Sequence, residues 1–135
     1  MKRALLLSAL ILPAISNAQC WVVTNLKGYT AMQPDGYAYG KDAITNGVFH
    51  VVIDGEKANL KGVGSSFVGS GLGYVPINSN TMVGAYSDAD RTTVETWAIT
   101  KDNKVLYTKI VNSNYIFSSS KSMIGDVVGT CNTKP

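Results

Sequence analysis

The sequence predicts an all-β domain, a small antiparallel β-barrel or sandwich of about eight strands, on three observations. β-Branched and aromatic residues are abundant, and no stretch after residue 18 shows helical periodicity. Turn dipeptides recur at short intervals, which is typical of strands joined in sequence. Two cysteines, Cys20 and Cys131, stand near the two ends of the chain that follows residue 18. We prefer a meandering barrel, since full closure removes strand edges that could pair with other chains.

The first eighteen residues have the pattern of a cleaved secretory signal peptide. Lys2 and Arg3 precede an uncharged, leucine-rich run over residues 4–15, and small residues lead up to Ala18. The run is shorter than the roughly 20 residues that a membrane-spanning helix requires. The sequence therefore predicts a periplasmic or secreted protein without a stable membrane anchor, and one domain over residues 19–135.

Cys20 and Cys131 are predicted to form a disulfide that closes the domain. An exported protein meets an oxidising environment, and the wide spacing differs from the CxxC pattern of a redox-active pair. The alternative is a lipoprotein signal in which Cys20 is lipidated. That alternative would leave Cys131 unpaired and would place the large Gln19 where a small residue is required.

Two units give the clearest strand predictions. Asn46-Gly47 and Asp54-Gly55 are hairpin-turn dipeptides that bracket a strand over residues 48–53. Residues 92–100 and 105–111, separated by four polar residues, predict a hairpin. Its core should contain Trp97 and Tyr107. Weaker strands are predicted at residues 21–24, 29–32, 58–60, 74–77, 81–86, 115–118 and 126–131.

Two segments are the predicted recognition loops. Residues 62–73 are rich in glycine and serine and include the aromatic Phe67. Tyr37 and Tyr39 alternate along a second segment, so an extended backbone would place both side chains on one face. Tyrosine and glycine are typical of adaptable protein-recognition loops.

The charged and nucleophilic residues form no motif for catalysis, a metal or a nucleotide. His50 is the only histidine, which excludes a multi-histidine metal site, and we expect it to be a half-buried strand residue. Residues 69–73 lack the Gly-Lys-Ser/Thr sequence and the helix of a phosphate loop. Glu95 shares a strand face with Trp97, but we expect it on the outer face or rim, because burying a carboxylate is costly unless it is paired.

These observations favour an exported, non-catalytic binding protein without a cofactor. Its lysines are scattered, so nucleic acid is not an expected partner. The first hypothesis is a protein partner, as for a periplasmic inhibitor or immunity-type protein, held by Tyr37, Tyr39 and the 62–73 loop. The alternative is a small apolar ligand inside the barrel, lined by Phe49, Trp97 and Tyr107. A third hypothesis is an accessory role in an envelope assembly.

Overall fold

A computed structural model describes residues 18–63 and 72–133. Eight antiparallel strands form one sheet that curls into a nearly closed barrel, which confirms the predicted all-β class. The predicted signal peptide, apart from Ala18, lies outside the described residues, as does Phe67. The strands are β1 (Gln19–Met32), β2 (Tyr39–Asp54), β3 (Lys57–Val63), β4 (Gly73–Asn78), β5 (Thr81–Ser87), β6 (Arg91–Ile99), β7 (Lys104–Ser113) and β8 (Ser119–Thr130), with a 3₁₀ turn, η1 (Gln33–Asp35), after β1.

The strand order is β3-β2-β1-β8-β7-β6-β5-β4, so strands adjacent in sequence pair, except β3 and β4, which are the edges, and in addition β1 pairs with β8. That pairing brings the two ends of the described chain together, and Cys20 and Cys131 form a disulfide there, as predicted. The edge strands β3 and β4 lie next to each other and close the barrel without a ladder of paired residues. A disulfide is consistent with a protein that works outside the cytoplasm.

β1 is one long strand where the sequence predicted two short ones. The register shifts between Thr24 and Leu26, and Asn25 between them adopts a left-handed conformation with φ of 62°. Asparagine tolerates this conformation better than most residues. A β-bulge therefore interrupts the pairing at this point while the strand continues through it.

The predicted turn at Asn46-Gly47 is wrong. Both residues lie inside β2, opposite the bulge of β1, because bulges and tight turns favour the same residue types. The second predicted turn is confirmed, since Asp54 pairs with Lys57 across the β2–β3 hairpin.

The predicted strand at residues 115–118 is also wrong. These residues form the connection between β7 and β8, and the hydroxyl oxygen of Ser113 accepts the N–H groups of Tyr115 and Ile116. A side-chain acceptor replaces the ladder partner that these amides would have in a strand. β8 consequently begins at Ser119 and is longer than the predicted segment 126–131.

Alternate side chains of every strand fill the barrel interior. Trp97 lies at the centre, with its ring centroid 5.3 Å from that of Phe49 and 4.5 Å from that of Tyr107. The predicted core of the β6–β7 hairpin is thereby confirmed. The buried core consists of Val23, Leu26, Phe49, Val51, Ile53, Leu60, Met82, Trp97, Ile99, Val105, Tyr107 and Met123.

The two ends of the barrel differ. One end, here called the disulfide end, contains Cys20–Cys131 and the short turns at residues 55–56, 79–80 and 100–103. The opposite end, here called the loop end, contains the longer connections at residues 33–38, 88–90 and 114–118. Within the described residues, no helix has the length and apolar character needed to cross a membrane.

Candidate functional site

Glu95 lies inside the barrel, which corrects the expectation that it faces outward. Its relative exposure is 3%, on the same interior face of β6 as Trp97 and the buried Thr93. The alternation of side chains along β6 therefore places Glu95 in the interior. The cost of burying its carboxylate is offset by partners on β4, β6 and β7.

Three neutral donors surround the carboxylate of Glu95. The indole N–H of Trp97 donates to Oε1 at 2.6 Å, and the Tyr74 hydroxyl donates to the same oxygen at 2.7 Å. The Tyr107 hydroxyl donates to Oε2 at 3.3 Å. Nζ of Lys109 lies 3.3 Å from Oε2 and supplies the opposite charge. A buried carboxylate with this set of donors is fully hydrogen-bonded, as buried charges in proteins generally are.

The two tyrosines of this network are held in their neutral, donating form. Burial raises the pKa of Tyr74 and of Tyr107 above the ordinary tyrosine value, and the hydrogen bond and negative charge of Glu95 raise both further. Each hydroxyl therefore stays protonated at neutral pH and remains a donor to the carboxylate.

Gly84 makes room for Tyr74 to reach Glu95. Gly84 of β5 pairs with Tyr74 on one side and with Glu95 on the other, so the Tyr74 ring must cross it. A Cβ atom at Gly84 would lie 2.5 Å from Cε1 of that ring. Any side chain at this position would push the ring away from the carboxylate.

Gly84→Ala should therefore lower the free energy of unfolding by about 1–3 kcal/mol, measured by urea denaturation, because the added methyl overlaps the Tyr74 ring. Gly40→Ala is the matched control, since no described residue other than its chain neighbours has a heavy atom within 4 Å of a Cβ atom there. It should be neutral or slightly stabilising. In a Tyr74→Ala background the cost of Gly84→Ala should shrink, and an unchanged cost would show that the Tyr74 ring is not its cause.

Charged side chains continue from Glu95 across three strands. Glu95 pairs with Lys109 of β7, and Lys109 pairs in turn with Lys121 of β8. Nζ of Lys121 lies 2.7 Å from a carboxylate oxygen of Asp42. The two lysines are direct cross-strand neighbours of like charge, an arrangement that is unfavourable unless anions lie nearby.

Two adjoining cavities open around these residues and share Lys109 and Val111 as lining. The inner cavity has a volume of about 190 Å³ and the mouth cavity, towards the loop end, about 170 Å³. The inner cavity is lined by Ile44, Phe49, Leu60, Glu95, Trp97, Tyr107, Lys109, Val111, Ser119 and Lys121. The mouth cavity is lined by Leu72, Tyr86, Arg91, Thr93, Lys109, Val111 and Ile116.

Arg91 borders the mouth cavity with an unsatisfied nitrogen. Its guanidinium carbon lies 4.8 Å from the centroid of the Tyr86 ring, a cation–π contact. Its Nε is buried and has no hydrogen-bond partner among the described residues. An unpaired buried donor is unfavourable by about 1–3 kcal/mol, and this one belongs to a residue that lines the cavity.

The loop end carries a second group of residues, all apolar or aromatic and exposed. Tyr37 and Tyr39 belong to it, but they do not lie on one face of an extended segment as predicted, because Tyr37 adopts a left-handed conformation with φ of 61°. The side chains of this group are Tyr37, Tyr39, Tyr115, Ile116 and Phe117, whose relative exposures lie between 44% and 71%.

Hydrogen bonds between loops fix the backbone that carries these side chains. The N–H of Gln33 donates to the carbonyl of Ser118 at 3.0 Å, and the N–H of Ser118 donates to Oε1 of Gln33. The N–H of Asn114 donates to the carbonyl of Asp90 at 2.9 Å. The three described loops at this end are therefore joined to one another.

His50 lies half-buried on β2 beside the disulfide, as expected for a strand residue. One of its ring nitrogens and the sulfur atoms of Cys20 and Cys131 lie within 4.8 Å of one another. Because the two sulfurs are bonded to each other, they are not available as thiolate ligands for a metal.

Comparisons with protein-family models, with curated proteins and with solved structures found no significant match for this chain. The candidate sites therefore depend on the geometry of the chain alone.

The structure brings together some of the predicted site residues and separates others. Trp97 and Tyr107 are in contact inside the barrel, whereas Tyr37 and Tyr39 lie at its loop end. Phe67 and residues 64–71 of the predicted glycine-rich loop are outside the described residues. Sequence reasoning missed Tyr74, Arg91, Lys109, Lys121 and the exposed residues 115–117. For Lys109 a signal existed, since it alternates with Tyr107 along β7.

Proposed function

We propose that this protein is an exported binding protein that holds another protein at its loop end, in the manner of an inhibitor or immunity-type protein of the periplasm or medium. The observation that carries the proposal is the exposed group Tyr37, Tyr39, Tyr115, Ile116 and Phe117. Exposed apolar groups of this kind are typical of protein interaction sites. Aromatic side chains at such sites often provide most of the binding energy.

The fixed loops support the proposal energetically. Hydrogen bonds join residues 33–38 to residues 114–118, and residues 114–118 to residues 88–90. Binding through loops that are already ordered costs less conformational entropy than binding through loops that must first become ordered.

The charges at this end indicate the chemistry of the partner. The described loops contain Asp35, Asp88 and Asp90, and no lysine, arginine or histidine. A complementary surface would therefore be apolar at its centre and basic at its rim. Charges at a rim act mainly on the association rate, so association should become slower as the ionic strength rises.

Affinity capture of the tagged protein from envelope and culture extracts tests the proposal. We expect one near-stoichiometric partner that is lost with Tyr37→Asn/Tyr39→Thr, in which asparagine suits the left-handed backbone at position 37. The control is Val75→Thr/Ile77→Thr, which removes two exposed apolar side chains of β4 instead. A partner that binds both double variants equally would place the binding surface elsewhere. The absence of any partner would contradict the proposal.

A further inference from the structure

We propose that the barrel interior binds a small organic anion, a monocarboxylate with a short apolar or aromatic body. The inner and mouth cavities around Lys109 form the site, which is distinct from the exposed aromatic group at the loop end. The proposal goes beyond protein binding and depends on different residues, apart from Ile116, which borders the mouth cavity.

The size of the cavities suits such a ligand. A cavity of roughly 150 Å³ is known to accept a benzene molecule. The inner cavity, at about 190 Å³, has room for a ring or a short chain, and the mouth cavity shares Lys109 and Val111 with it. An eight-stranded barrel is commonly just wide enough to hold one small ligand.

The charges of the lining favour an anion. Among the described lining residues, Arg91, Lys109 and Lys121 are cationic, and Glu95 is the one carboxylate. Lys109 is paired with Glu95, and Lys121 is paired with Asp42, which lies outside the lining. Arg91 is therefore the lining cation that forms no ion pair within the described residues. Asp88 and Asp90 lie outside the lining and are exposed, where water and salt screen their charges.

Arg91 and Lys109 supply the donors that a carboxylate would use. Both side chains border the mouth cavity, and the buried Nε of Arg91 has no partner among the described residues. A ligand carboxylate between the two side chains would accept from the guanidinium and the ammonium group and would add a counter-charge next to lysines 109 and 121.

The walls of the inner cavity supply the apolar contacts. Phe49, Trp97 and Tyr107 present ring surface there, and Ile44, Leu60 and Val111 present aliphatic groups. A ligand that is charged at one end and apolar at the other would match this division. A wholly apolar ligand would leave the guanidinium of Arg91 without a counter-charge, since the two lysines already have carboxylate partners.

The test follows the fluorescence of Trp97 in a Trp21→Phe background, where it is the remaining tryptophan. Hexanoate and benzoate are the probes, and 1-hexanol and benzyl alcohol are their uncharged counterparts. We expect saturable changes with the acids and binding of the alcohols that is weaker by about tenfold or more. Alcohols that bind as tightly as the acids, or acids that do not bind, would overturn the proposal.

Variants locate the site. Arg91→Met and Lys109→Met should each weaken hexanoate binding by about tenfold, since each removes a charged donor. Lys104→Met is the matched control, because Lys104 is exposed and pairs with Asp126 at the disulfide end. Arg91→Met leaves the donors of Glu95 in place, so it remains informative if Lys109→Met does not fold. Unchanged binding in Arg91→Met would overturn the assignment. Tyr37→Asn/Tyr39→Thr should bind hexanoate normally, which separates this proposal from the protein-binding one.

Discussion

Replacing Glu95 by alanine should lower the free energy of unfolding by about 3–5 kcal/mol in urea denaturation, the largest effect expected for a single substitution in this protein. The carboxylate accepts from Tyr74, Trp97 and Tyr107 and pairs with Lys109. Without it, three buried donors lose their acceptor and a partly buried ammonium group loses its counter-charge. Each of these losses is unfavourable because a donor withdrawn from bulk water is left without its acceptor.

One further variant separates charge from size at position 95, and a second provides a control at an exposed glutamate. Glu95→Gln keeps the volume and one acceptor oxygen but removes the charge. Its free energy of unfolding should therefore lie between that of the wild type and that of Glu95→Ala. Glu56→Ala removes an exposed glutamate in the β2–β3 turn and should change stability by less than about 0.5 kcal/mol. If Glu95→Ala costs no more than Glu56→Ala, the network does not stabilise the barrel.

Removing the disulfide has the second largest expected effect. Cys20→Ser/Cys131→Ser should lower the free energy of unfolding by about 2–4 kcal/mol, because the bridge restricts the unfolded chain. The bridged residues are 111 positions apart, so the loop that the bond closes includes nearly all described residues. The measurement is urea denaturation with and without a thiol reductant.

Reduction of the wild type provides the control for the serine substitutions themselves. The reduced wild type should unfold at the same urea concentration as the double variant, and the double variant should not respond to reductant. A double variant as stable as the oxidised wild type would mean that pairing of β1 with β8 alone holds the chain ends together.

The sequence was sufficient for the fold class, the disulfide and the centre of the core. Trp97 and Tyr107 were predictable because one hairpin with a short connection places them opposite each other. The continuity of β1 was not predictable, because a left-handed asparagine can either end a strand or form a bulge within it. Which of the two occurs depends on the partner strand β2, whose own irregularity lies opposite.

The interior position of Glu95 and its set of donors could not be predicted from the sequence. Alternation places Glu95 on the face of Trp97, but the cost of burying a lone carboxylate suggests the opposite. Whether Glu95 faces the interior depends on donors from β4, β6 and β7. The donor on β4 is Tyr74, whose ring reaches Glu95 only because it can pass over a glycine in β5. Contacts among several strands follow from the register of the whole barrel, which no local pattern specifies.

The position of the disulfide also determines how the protein responds to proteolysis. The main chain from Cys20 to Cys131, together with the bond between their sulfur atoms, forms a covalent ring. A single cut in any connection between the strands would open this ring without releasing a fragment. The two pieces would remain one molecule, held by the sulfur atoms and by the strands that pair across the cut. A protein built in this way keeps all parts of its barrel when one loop is cleaved.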